Sequence, residues 1–219
     1  MAPRRYLKTL SLTTALAIGL VGLLGASALQ AQEQYRLRGT LVGIEADKII
    51  FMNDDEETFE LPRSPEMGVF VVTPGSLADI SEGQFVGMVS VESRGTRTAL
   101  EVHIFDEDLR GIGEGHYEWD LIKDPNMMTN ATVAEIQNVA NNRQLTLTYQ
   151  EGEGGAKAEA TQTITVPSFA DVVHMAKADD PAAALAPDKP VFLIVEKGSD
   201  GREIAVAAVI GSEGATPPM

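Results

Sequence analysis

Short runs of alternating apolar residues, three blocks that recur in the same order, and no long amphipathic helix predict an all-β chain: two tandem small OB-like β-barrels after a cleaved signal peptide. The recurring blocks are GTLVGIE (39–45) against ATVAEIQ (131–137), TFELP (58–62) against TITVP (163–167), and GTRTALEVHI (95–104) against GREIAVAAVI (201–210). Apolar positions stay in phase across each pair, so duplication is the economical account. Five or six short strands with one helical turn, in about 70–80 residues, suit a small closed barrel. Closure also removes exposed strand edges, which matters in a chain without cysteine. A pair of small sandwiches is the alternative fold.

Residues 1–31 read as a secretory leader. Arg4, Arg5 and Lys8 form its positive end, 10–24 its apolar core, and Ala26-Ser27-Ala28 a small-residue cleavage site, with a second cut after Ala31 as the alternative. The apolar core is shorter than the ~20 residues a spanning helix needs, so cleavage is expected over retention as an anchor. Pro3 and Lys8 fit the twin-arginine pattern poorly, which favours Sec-type export to the periplasm. No later stretch is long and apolar enough to span a membrane as a helix.

The first barrel is expected over 36–105, with strands at 37–44, 48–52, 58–61 (ended by Pro62), 69–72, 85–91 and 98–105. Turn residues separate them, and Ser76 with Asp79 three positions on should cap one helical turn. The second barrel, 129–211, repeats the plan at 131–136, 145–149, 161–166, 172–175, 191–196 and 204–210, with its helical turn near 180–185. Residues 106–128 form a connecting strap rich in glycine and acids, and 212–219 a frayed tail.

The formal charge of −15 falls to about −18 when the leader takes Arg4, Arg5 and Lys8 with it. A chain this acidic repels phosphate backbones and anionic lipid, so nucleic acid is excluded as a partner; cations, small ligands or a periplasmic protein fit better.

The strap is the candidate site. With the end of the preceding strand it holds two of the three histidines and the single tryptophan. Strand alternation puts Ala99, Glu101, His103 and Phe105 on one face and Leu100, Val102 and Ile104 on the other. Glu101 and His103 replace Ala207 and Val209 of the second copy, about 7 Å apart, with room for a third group between them. His103 and His116 are the candidate metal ligands, and Glu101, Glu114, Trp119 and Asp120 the candidate ligand-binding residues, for Zn, Ni or Cu; Met127 and Met128 shift the preference toward Cu(I). Two histidines without HxxxH or HxH spacing are a thin ligand signal, and against it stands a structural reading in which Trp119 fills the seam between barrels. Gly111, Gly113 and Gly115 precede no helix pattern, so they permit an unusual backbone path and are no dinucleotide fingerprint.

Arg38-Gly39-Thr40, Leu77-Ala78-Asp79-Ile80, the run 99–105, Arg110-Gly111 with Gly113-Glu114-Gly115-His116, Trp119-Asp120 and the run 128–133 resemble a family of exported bacterial proteins of unknown function. That resemblance covers most of 36–211 and implies tandem OB-like barrels. Relatives are sometimes labelled metal-transport proteins, which implies an association with metal handling and supplies no catalytic residue. The sequence holds no Gly-x-Ser-x-Gly elbow, no cysteine nucleophile and no His-Glu-x-x-His, so no enzyme is expected. The leading expectation is a soluble periplasmic binding or accessory protein with a transition metal or small polar ligand at the strap. A structural or protein-interaction module comes second, and a hydrolase using strap carboxylates last.

Overall fold

A computed structural model describes residues 33–152 and 157–217; the expected leader, 1–31, lies outside the described residues. Chain order gives β1 (Glu33–Ile44), β2 (Lys48–Met52), β3 (Thr58–Pro74), β4 (Phe85–Ser93), β5 (Thr96–Phe105), β6 (Gly115–Trp119), β7 (Asn126–Val139), β8 (Asn142–Glu151), β9 (Ala158–Val166), β10 (Asp171–Lys177), β11 (Pro190–Lys197) and β12 (Glu203–Gly211), with one helical turn, α1 (Pro181–Ala184). The all-β expectation holds, and both rings of strands close.

The order of closure is not the linear one. β12-β11-β1-β2-β3 forms one ring, sealed by parallel pairing of β12 with β3. β5-β4-β7-β8-β9 forms the other, sealed where Thr98 pairs with Thr165. The first ring therefore takes three strands from the start of the chain and two from its end: a split barrel. The second is continuous, within 85–166, and is inserted between the third and fourth strands of the first. This corrects the boundaries 36–105 and 129–211, because each barrel draws on both stretches.

The length of β3 explains the exchange. Its 17 residues extend roughly 55 Å, more than one small ring can use. The first part pairs with β2, the last part with β12 and β10, and the chain then enters β4 of the other barrel. Pro62 was expected to end a strand, but it lies in β3 opposite Lys48 of β2, a place where a missing N–H is tolerated if its other side carries no ladder bond. β10 runs between the barrels, antiparallel to β3 and parallel to β5.

Three apolar clusters follow from this layout. Val86, Met88, Val102, Leu145, Leu147 and Ile164 are among the residues filling the inserted barrel. Leu41, Ile49, Phe51, Leu193, Ala208 and Ile210 do the same in the split barrel. Between them Val72, Phe85, Phe105, Leu109, Met175 and Phe192 form a seam. The tail is held rather than frayed as far as it is described: Ser212 N–H donates to Val72 O at 2.9 Å and Ala215 packs on the seam. The expected helical turns are present, with Ser76 and Asp79 in a reciprocal cap and Asp180 accepting from Ala182 and Ala183 N–H.

Bulges fall at matching steps of the two barrels. One lies between Leu41 and Gly43, its counterpart between Val133 and Glu135; another pair lies at Val89/Ser90 and Ile194/Val195. The bulge beside β5 also corrects a face assignment: it turns Ala99 into the core with Val102 and Ile104, away from Glu101 and His103.

A chain ending at residue 125 keeps three strands of one barrel and two of the other. As a monomer it should show no cooperative thermal transition by circular dichroism, whereas linear barrels would leave 36–105 folded.

Candidate functional site

The strap leaves β5 through a short turn at Glu107–Leu109 that buries Leu109 in the seam. Arg110 then ties it to the inserted barrel, donating to Gly83 O at 2.8 Å and Thr132 Oγ1 at 3.2 Å. Gly111 and Gly113 take φ of +86° and +57°, a region that glycine enters without a Cβ penalty. Their reversal lets 115–119 return along β7 as β6, pairing His116 with Thr129 and Trp119 with Asn126. No strand was expected here, because the glycine-rich sequence masks a run of only five residues.

The predicted ligand residues have protein partners. His103 Nε2 and Glu101 Oε1 are 3.1 Å apart and both residues are buried, so the pair closes on itself instead of leaving room for a third group. Glu114 Oε1 accepts from Gln150 N–H at 3.2 Å. Trp119 stacks on Phe192 of the split barrel and lies beneath Arg36, whose guanidinium carbon is 3.7 Å from the ring centroid. Asp120 accepts from Arg38 Nη2 at 2.9 Å and lies 3.6 Å from Arg36 Nη1. Arg36 and Arg38 belong to β1, so Trp119 and Asp120 join the strap to the other barrel. Glycine at 87 is needed on this seam face, since a Cβ there would lie 2.6 Å from Asn130 Oδ1.

The two candidate metal ligands do not meet. Register places His103 in a row with Gly87, Asn130 and Gly115, while His116 shares the adjacent row with Thr129, Met88 and Val102. Adjacent rows point to opposite faces, and three strand spacings separate the histidine backbones by about 14 Å along the sheet. Two imidazoles on one ion need nitrogens within roughly 4 Å. His103 and His116 as placed therefore do not fit a shared Zn, Ni or Cu, and among the described residues no group of three or more His, Asp or Glu is arranged to hold an ion. The sequence has an ample stock of donors, but it does not reveal that β4 and β7 intervene between the two histidines.

His116 instead joins a cluster that sequence reading missed. Its Nδ1 is 2.8 Å from Thr129 Oγ1, and its ring centroid is 6.1 Å from that of Tyr149. Burial first, then the charge of Arg97, holds this imidazole below its ordinary value, with Glu151 acting in the opposite sense. Burial, then Glu151, raises Tyr149. His116 and Thr129 are register partners on β6 and β7, Tyr149 lies on β8 beside them, and Arg97 comes from β5.

Two further groupings lie elsewhere. Asp79 Oδ2 accepts from Ser76 Oγ at 2.9 Å and stands 3.4 Å from His174 Nε2. The carboxylate lies between hydroxyl and imidazole, an order that gives Ser76 no direct base in His174. A cavity of about 410 Å³ in the split barrel is lined by Glu60, Leu61, Arg202 and Glu203 among others, and by no strap residue. Comparison of the chain with protein-family models, with curated proteins and with solved structures gives no match.

Replacing Trp119 with alanine should destabilise the protein by about 2 kcal/mol in urea titration, through lost seam packing. Asp120→Asn should cost under about 1 kcal/mol, because its ion pairs are half exposed. His116 should titrate by NMR below 6.5, the ordinary imidazole value. Its contribution to stability is then present above pH 6.5 and lost as pH falls toward the folded midpoint, since the unfolded chain takes the proton first.

Proposed function

We propose that this chain is an exported, non-enzymatic accessory module in which the strap clasps two interleaved barrels and presents no metal. The observation that carries this reading is the fate of Trp119 and Asp120: both leave the inserted barrel's connector and engage Arg36, Arg38 and Phe192 of the split barrel. Of the remaining predicted site residues, Glu101 and His103 satisfy each other in the seam, Glu114 holds Gln150 N–H, and His116 contacts Thr129.

Each barrel is an OB-like unit, and the two arose by duplication. In support, both rings run first-second-third-fifth-fourth in strand order when counted from β1 and from β7, and their bulges coincide at aligned residues. Periplasmic localisation rests on the leader-like sequence of 1–31. The strongly acidic surface fits a partner protein that is basic or neutral.

Isothermal titration of the purified chain with Zn²⁺, Ni²⁺ or Cu²⁺ should show no stoichiometric uptake, and His116→Ala should leave the titration unchanged. Binding of one ion per chain that His116→Ala abolishes would return the metal reading to first place.

A further inference from the structure

The inner face of the inserted barrel becomes polar at one end. Rows that begin with Val102 and Met88 continue through Thr129 to His116, and the next row runs from Ala99 through Ser90 to Met127. Arg97 follows, opposite Glu92, and Tyr149 completes the face beyond Leu145 and Leu147. Ser90 and Thr129 are fully buried.

Arg97 is the anomaly in this group. Its side chain is only 11 % exposed, yet Glu92 Oε2, at 2.8 Å, is its single hydrogen-bond acceptor among the described residues, and its Nε is buried with none. A guanidinium has five N–H donors, and burying a charged donor without acceptors is costly. In the recurring block Arg97 aligns with Glu203, which lies opposite Lys197, so the split barrel carries its cation on the other strand of the pair at the same step. Two neutral groups at the same end of the inner face feel the charge of Arg97 and have capacity to spare: the Tyr149 hydroxyl and His116 Nε2, on rings with centroids 6.1 Å apart, have no hydrogen-bond partner among the described residues. His116 Nδ1 and Thr129 Oγ1 are 2.8 Å apart; in the tautomer whose Nδ1 accepts from the Thr129 hydroxyl, Nε2 carries the imidazole proton and all three groups offer donors. Glu92 is more than half exposed, a resident carboxylate free to swing aside.

We propose that this end of the inserted barrel binds a carboxylate, which displaces Glu92 from Arg97 and accepts hydrogen bonds from Tyr149 and His116. Guanidinium and carboxylate match in planar two-point geometry, which favours this class over a spherical anion. The carboxylate can belong to a free small acid or to the C-terminus of a peptide.

The test is an NMR titration of the purified full chain, following the His116 ring resonances at a pH above its midpoint. Acetate is added against chloride at constant ionic strength. A saturable shift with acetate alone is expected. Arg97→Gln should weaken it by about tenfold or more, as loss of a charge-assisted contact implies, and Glu92→Gln should strengthen it several-fold by removing the internal competitor. Glu92 lies at the surface, so that variant keeps the test decisive even if Arg97→Gln fails to fold. A short peptide acid that binds tighter than acetate, and loses binding as its amide, assigns the site to peptide C-termini; equal affinity assigns it to small acids. An unsaturating drift shared by acetate and chloride, or a Glu92→Gln chain that binds acetate no tighter than the parent, overturns the proposal.

Discussion

Parallel pairing of β12 with β3 is the contact on which the rest of the structure depends. It joins Ala207 to Gly68 and Ile210 to Val71, residues from opposite ends of the chain. Without it Leu41, Ile49 and Phe51 would lose the wall formed by Leu193, Ala208 and Ile210, and β3 would lack the neighbour that fixes its direction toward β10. Because β10 pairs with both β3 and β5, that direction also positions the inserted barrel. The loop-closure entropy of so distant a pairing grows slowly with length, and burial of a complete barrel core outweighs it.

The strap acquires its role from this topology. In the inserted barrel it must carry the chain from the end of β5 to the start of β7, over the seam. Leu109 enters that seam, Trp119 faces Phe192, and Asp120 reaches two arginines of β1. The surface ion pairs contribute little by themselves; the stacked Arg36–Trp119–Phe192 arrangement is the strap's larger contribution, added to the seam cluster and the shared strand β10. Glu101 and His103, which align with Ala207 and Val209, lie on the same seam face. Apolar residues serve at the aligned positions of the split barrel, and a buried pair of this kind is by itself weak evidence of stability.

Most strands were legible in the sequence because alternation in runs such as 37–44, 85–91 and 204–210 reports a one-sided core directly. Bulges also fall at Leu41 and Val133, two residues that the recurring blocks align. Partner choice was not legible. Alternation states that a strand has an inner face but not which ring it joins, and Pro62 gave a false strand end because it lies at the last pairing with β2, where β3 passes over to β12. The site suffered for the same reason. His103 and His116 are 13 positions apart in sequence, but two intervening strands set them on opposite faces. Arg97, Thr129 and Tyr149 carry no motif, and they come from three different strands whose order the sequence does not state.

Native-state hydrogen exchange on a Leu193→Ala chain tests the interleaved architecture most directly. Leu193 is fully buried in the split barrel, and amides that share a cooperative unit lose protection together. Protection should fall in β1, β2 and β3, more than 100 residues away in sequence, while β7 and β8 keep theirs. A loss confined to β7, β8 and β9, with β1 to β3 unaffected, would mean that β11 belongs to the barrel of its own half of the chain and would contradict the exchange.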